Sequence, residues 1–174
     1  MTVHPLRLAV LTRSLEPGRF GTTVTEWFER AAERHDEFKP GLVDLSRAGP
    51  ADLAARIAEA DAIVIVTAEY NHAYPGDLKA AIDTVRRPWF GKPVAFVVYG
   101  GRSRGLRAAE QLRLVFGELH AVTIRDTLGF SEDDFTGTEP RDPSTEAAAA
   151  ALLTQLAWWS RPLRDARAST PYPV

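Results

Sequence analysis

A chain of 174 residues with 45% apolar side chains is the right size for one domain with a proper hydrophobic core. Its 21 Lys+Arg against 23 Asp+Glu leave a net charge of -2, which supplies no broad basic field for a nucleic-acid backbone or an anionic membrane surface. The absence of cysteine (Cys 0) excludes disulfides, thiolate metal sites and a cysteine nucleophile, so the expected partner is a small molecule.

Met1-Thr2-Val3-His4-Pro5 lacks the charged then apolar run of a signal peptide, and no apolar stretch approaches the ~20 residues that span a bilayer. A soluble cytoplasmic protein is expected. Leu6 to Leu11 reads as a strand, the turn-rich Glu16-Pro17-Gly18 as a loop, and Thr23 to Glu33 as a helix. Gly41 to Leu45 reads as a second strand. Pro50 to Glu59 reads as a helix with Pro50 in its first turn and Leu53 and Ile57 on one face. The unbroken apolar run Ala62 to Val66 is the mark of a central parallel strand covered on both faces. A helix from about Asp77 to Arg86, a strand from Pro93 to Tyr99, a helix from about Gly105 to Glu118 and a strand around Ala121 to Thr127 follow. The last helix is placed at Thr145 to Trp159, with Ser144 as its cap. The chain reads as one domain, residues 1–174, with a core of 6–160 and a tail of 161–174.

Five strands alternating with five helices define an α/β fold with a doubly wound five-stranded parallel sheet, for which right-handed crossovers favour the order 2-1-3-4-5. Ligands bind such sheets beyond the carboxyl ends of the strands at the switch point. Here that means the loops 12–21, 67–76 and 99–105.

The first loop sets Arg13, Ser14, Arg19, Phe20 and Gly21 just ahead of a helix, where free N–H groups and the helix dipole suit a phosphate. It matches neither the P-loop nor the dinucleotide glycine fingerprint. Glu69, Tyr70, Asn71 and His72 in the second loop, with Gly100, Gly101 and Arg102 in the third, offer backbone donors and acceptors and an aromatic cover for a flat heterocycle.

The segment Thr67 to Asp83, containing Glu69-Tyr70-Asn71 and then Gly76-Asp77-Leu78-Lys79-Ala80-Ala81-Ile82-Asp83, resembles the signature of the NADPH-dependent FMN reductase family. In that family the strand ends in Pro-Glu-Tyr-Asn and the helix opens with Gly, one residue, then Leu-Lys-Asn-Ala-Ile-Asp. Ser14 and Gly18-Arg19-Phe20-Gly21 are similar to its first loop, and Gly100-Gly101 to its glycine-rich turn, so the resemblance covers roughly Leu6 to Leu128. Ala68 replaces the family's proline, Ala80 its asparagine and Arg13 a glycine, while Glu16 stands where the family has an arginine. A carboxylate is repelled by a phosphate dianion, so Arg13 is expected to supply the charge that Glu16 withholds.

The resemblance implies a flavodoxin-like domain that binds FMN, with the second and third loops on the flavin ring. It also implies NADPH or NADH as co-substrate, and free flavin, a quinone, an azo compound or an oxidised metal ion as acceptor. Hydride transfer to the flavin needs no side-chain acid or base, so no catalytic residue is assigned. The alternative is a flavin-binding electron carrier or sensor without nicotinamide turnover. The family forms dimers or tetramers, and Tyr74, Trp89 and Phe90 are expected to lie at such an interface.

Gly101-Arg102-Ser103-Arg104-Gly105 fits a nucleophile elbow between strand and helix, but the only histidine after Ser103 is His120, with no acid strand before it. His4, His35, His72 and His120 show no metal-ligand spacing. His72 is the one placed to touch an acceptor, and Arg102 and Arg104 are placed to meet a nicotinamide phosphate. The tryptophans and the acidic run Glu132-Asp133-Asp134 are read as core or subunit contacts and as a solvated loop.

Overall fold

The computed structural model describes residues 5–173, so His4 lies outside the described residues. Its central sheet has the order β2-β1-β3-β4-β5 with every pairing parallel, as expected. The strands are β1 (Leu6–Thr12), β2 (Phe38–Asp44), β3 (Ala62–Ala68), β4 (Pro93–Tyr99) and β5 (Val122–Phe130). The helices between and after them are α1 (Phe20–Glu33), α2 (Pro50–Glu59), α3 (Gly76–Asp83), α4 (Leu106–Glu118) and α5 (Ser144–Ser169). A two-stranded antiparallel ribbon, β6 (Phe135–Thr136) with β7 (Glu139–Pro140), lies between β5 and α5.

Strand periodicity assigns the two faces. Val64 and Val66 of β3 with Ala95 and Val97 of β4 pack under α1 and α5, together with Trp27, Phe28, Leu152 and Leu156. Ile63, Ile65, Val94, Phe96 and Val98 pack on the other side under α2, α3 and α4, with Ile57, Ile82, Leu112 and Phe116. β3 is therefore buried along its whole length, which is why its sequence shows no alternation.

Several boundaries move for local reasons. α1 begins at Phe20 rather than Thr23, because the turn at Gly18 (φ 78°) delivers Arg19 in an extended cap conformation. β2 starts at Phe38. Its Pro40 is tolerated because β2 is an edge strand that pairs only with β1. α3 stops at Asp83 rather than Arg86, and a single 3-10 turn, Arg87–Trp89, carries Pro88.

The largest correction concerns the end of the chain. α5 runs ten residues beyond Trp159, through Pro162, so most of the expected tail is helix. Three contacts hold that extension: Ser160 Oγ donates to the Leu156 carbonyl at 2.5 Å, Arg161 pairs with Glu37 at 3.0 Å, and Arg167 donates to the Gly91 carbonyl at 2.5 Å. Ser144 is the first helical residue rather than the cap, and its N–H is taken by Asp142 Oδ1 at 2.9 Å. Trp89 (0% exposed) and Phe90 (8%) are core residues, which removes the expected interface patch.

Candidate functional site

The carboxyl ends of β1, β3 and β4 open into a cavity of about 730 Å3 at the switch point, between the loops that follow these strands. Arg13, Ser14, Arg19, Phe20 and Gly21 line one side. Glu69, Tyr70, Gly100, Gly101 and Arg102 line the other.

On the first loop every cation already has a carboxylate. Arg13 Nε is bound closely to Asp77 at the start of α3, both groups about half exposed, and this partner raises the guanidinium's pKa. Arg19 Nε lies 3.1 Å from Glu16 Oε2. Glu16 thus turns to Arg19, while its carbonyl accepts the Thr22 hydroxyl at 2.6 Å and fastens the loop to the first turn of α1. The charge that Arg13 is expected to supply in place of Glu16 therefore comes from a guanidinium already paired with Asp77. At the head of α1 the Thr22 and Thr23 N–H groups both donate to the Arg19 carbonyl, at 3.0 and 3.2 Å, which leaves Phe20 and Gly21, both in the cavity lining, as the residues whose N–H groups are open to a ligand.

Glu69 leaves β3 with its N–H on the Tyr99 carbonyl at 2.7 Å. Its carboxylate, only 6% exposed, accepts the Arg107 N–H at 3.1 Å and lies 3.5 Å from the Arg107 guanidinium. The Glu69 side chain therefore ties the second loop to the first turn of α4, and the Tyr70 ring, 53% exposed, stands at the mouth. Tyr70 and Ala73 exchange backbone hydrogen bonds at 2.8 and 3.1 Å around a turn in which Asn71 and His72 both have positive φ, 51° and 74°. Two consecutive positive φ values are those of a type I′ turn, and Asn71 suits that region. Asn71 and His72 form the tip of this turn and are not part of the cavity lining. The His72 carbonyl accepts the Gln111 amide at 2.8 Å.

The third loop needs its glycines. A Cβ on Gly100 would lie 3.2 Å from both the Glu69 Cβ and the Gly105 nitrogen. One on Gly105, which has φ 84°, would lie 2.5 Å from the Tyr99 nitrogen. Arg104 pairs with Asp134 at 2.8 Å, and Asp134 also holds the Ser131 N–H and hydroxyl at 2.7 and 3.0 Å. That brings Ser131, Glu132 and Asp133 to the rim of this chain's own cavity, whereas the sequence suggests a solvated loop or one that closes over a neighbour's site. Tyr99 is a further lining residue outside the expected set. Burial, with Tyr70 beside it, pushes its phenol up to about 12, so it stays protonated and can donate. Its place at the end of an apolar strand hid it, although strand alternation puts it on the α1 side with Ala95 and Val97.

The elbow reading fails on topology. Ser103 precedes α4 and His120 follows it, some 20 Å of helix away, with its ring against Phe90 and Tyr172 at 4.8 and 5.5 Å between centroids. Among the described residues no group of three or more His, Cys, Asp or Glu side chains is placed to hold a metal ion, and no helix is long and apolar enough to cross a membrane.

A parallel doubly wound sheet with a cavity of this size at its switch point, a helix N-terminus on one side and a glycine-rich turn on the other, defines a mononucleotide-binding α/β protein. The sequence profile described as NADPH-dependent FMN reductase matches residues 6–134, and the chain belongs to that family of oxidoreductases. An NAD(P)H-dependent FMN reductase of Schizosaccharomyces pombe is 30% identical over 135 residues, covering 65% of this chain and 66% of that protein, just under two thirds of its length. A quinone reductase of Escherichia coli is 33% identical over 138 residues, 68% of this chain and 73% of that one. Among solved structures, the flavoenzyme NAD(P)H:(acceptor) oxidoreductase of Paracoccus denitrificans superposes with a TM-score of 0.75 at 20% identity, over 90% of this chain and 98% of that chain, which places the fold as flavodoxin-like.

Proposed function

We propose that the protein is an FMN-dependent NAD(P)H oxidoreductase that passes electrons to a small acceptor such as free flavin, a quinone, an azo compound or a metal oxyanion. The observation that carries this reading is the cavity between the three switch-point loops, which falls within the roughly 300–1,000 Å3 of cofactor pockets. The residues fit the group. Phe20, Gly21 and Ser14, with Arg13 and Arg19 beside them, hold the phosphate at the head of α1. Glu69, Tyr70, Gly100, Gly101 and Arg102 frame the ring, and the Asn71-His72 turn fixes the Tyr70 backbone. A Cβ on Gly100 or Gly105 would press on that frame. FMN, when bound, supplies the hydride and electron chemistry that no side chain here has. The chain's own part is to bind, orient and leave one side of the cavity open to a second ligand.

The nicotinamide, flavin and quinone classes rest on the names of the relatives, and the azo compound and metal oxyanion on the family resemblance alone. Addition of FMN followed by desalting should leave a yellow protein. Anaerobic NADPH or NADH should then bleach it within seconds, whereas a yellow protein that neither coenzyme bleaches is an electron carrier or sensor, and a colourless one ends the flavin reading. A cytoplasmic homodimer or homotetramer completes the proposal. Trp158 (66% exposed) and Trp159 (38%), neighbours on α5 with ring centroids 5.0 Å apart, take over from Trp89 and Phe90 as the apolar surface that supports it. Light scattering at micromolar concentration that reports a monomer would refute it.

A further inference from the structure

The Tyr99 hydroxyl lies against the head of α1. A Cβ built on Gly21 would fall 2.1 Å from that oxygen and 2.7 Å from the ring carbon bearing it, so the phenol rests on the Gly21 Cα and any larger residue would displace it. Phe20 steadies the ring from the side, edge-on at 5.6 Å between centroids. The hydroxyl lines the cavity and makes no hydrogen bond among the described residues, although every cation on the adjoining loop is engaged with a carboxylate, Arg13 with Asp77 and Arg19 with Glu16. A phosphate seated there meets compensated charges, so neutral donors carry more of its binding than they would beside free guanidinium groups.

We infer that Tyr99 is a ligand-binding residue whose hydroxyl donates to the phosphate of the bound flavin, and that Gly21 is required at the second position of α1 to admit the phenol. This rests on the flavin reading above and assigns a residue at the phosphate end that the family resemblance did not supply. The raised phenol pKa is consistent with it, because the group remains a donor throughout the neutral and mildly alkaline range.

The test compares FMN with riboflavin, which shares the ring and ribityl chain but lacks the phosphate, by quenching of flavin fluorescence on the apoprotein. Tyr99→Phe should weaken FMN binding about ten-fold or more, the loss of one hydrogen bond to a charged group, while riboflavin binding changes less than two-fold. Gly21→Ala keeps the phenol but drives it from the helix end, and should produce the same selective loss if the Phe variant folds poorly. An unchanged FMN affinity in either folded variant, or an equal loss for both flavins, overturns the inference. Wild-type protein that binds neither flavin removes the flavin reading itself, a distinct outcome.

Discussion

The two ends of the sheet both collect charged side chains, and they treat them in opposite ways. At the carboxyl end Arg13, Arg19, Arg104 and Arg107 stand in a half-exposed ring of ion pairs around an open cavity. At the amino end Lys92, 5% exposed, sends its ammonium into the protein to donate to the carbonyls of Ala58, at 2.9 Å, and Ala60. Asp61 beside it accepts the Arg7 N–H at 2.9 Å, and Arg167 caps the Gly91 carbonyl. Phe90, His120 and Tyr172 close over this end with ring centroids 4.8 to 5.7 Å apart. A polar cluster whose groups are all matched inside the chain is structure. One that leaves a cavity and an unmatched hydroxyl is a site.

The sharpest way to break this comparison is to injure the closed end and look for an effect on the open one. Lys92→Met leaves the buried Ala60 carbonyl without its donor and should cost about 1–2 kcal/mol of stability in a urea titration at neutral pH, with no change in FMN affinity. Burial lowers the Lys92 pKa from 10.5 to about 8, with the Arg167 and Arg7 charges adding to it and Asp61 opposing. Between those two values the unfolded chain binds the extra proton, so the Lys92 contribution to stability rises with pH from about 8 to 10.5. Tyr99 acts in the opposite sense above pH 10, because its phenol is pushed up to about 12 in the folded protein and the unfolded chain ionises first. Wild-type stability should therefore climb from pH 8 towards 10, and Lys92→Met should flatten that climb.

At the open end the order of effects reverses. Arg13→Ala removes an exposed pair and should change stability by no more than about 0.5 kcal/mol. It also removes a cation from the side of the cavity proposed to take the phosphate, so FMN affinity should fall about three- to ten-fold. An unchanged flavin affinity would show that Arg13 serves Asp77 alone.

The same contrast explains what the sequence could disclose. The sheet was legible because periodicity reports burial, and β3 and β4 are buried on both faces. The loops were legible through residue types that a nucleotide site needs, and Ser14, Glu69 and Gly100 do line the cavity. What escaped depends on where side chains turn after the backbone is built. Glu69 was read as a ring contact, yet its carboxylate points back to α4. Asn71 and His72 read from sequence as part of the ring-binding loop, yet they form the tip of a turn outside the cavity lining. Trp89 and Phe90 read as surface because they lie close to loops expected to be exposed, yet the 3-10 turn folds both inward. The α5 extension runs through Pro162, a residue that ordinarily stops a helix, because tertiary contacts of Arg161 and Arg167 hold the added turns.

Glu69 offers the finest test, because it belongs to both categories: a side chain matched within the chain that nonetheless frames the cavity. Glu69→Gln keeps the shape and an oxygen that can accept the Arg107 N–H, and removes only the charge that attracts the Arg107 guanidinium 3.5 Å away. If the carboxylate positions the loop, FMN affinity should fall only two- to three-fold, or about 0.5 kcal/mol. The loss should apply equally to riboflavin, because the glycine turn that Glu69 braces is the one proposed to frame the ring. If the carboxylate itself touched the flavin, loss of its charge in a nearly dry setting would cost ten-fold or more. The size of the effect, read by the same fluorescence titration, decides whether Glu69 is a brace or a ligand. The side-chain geometry favours the brace.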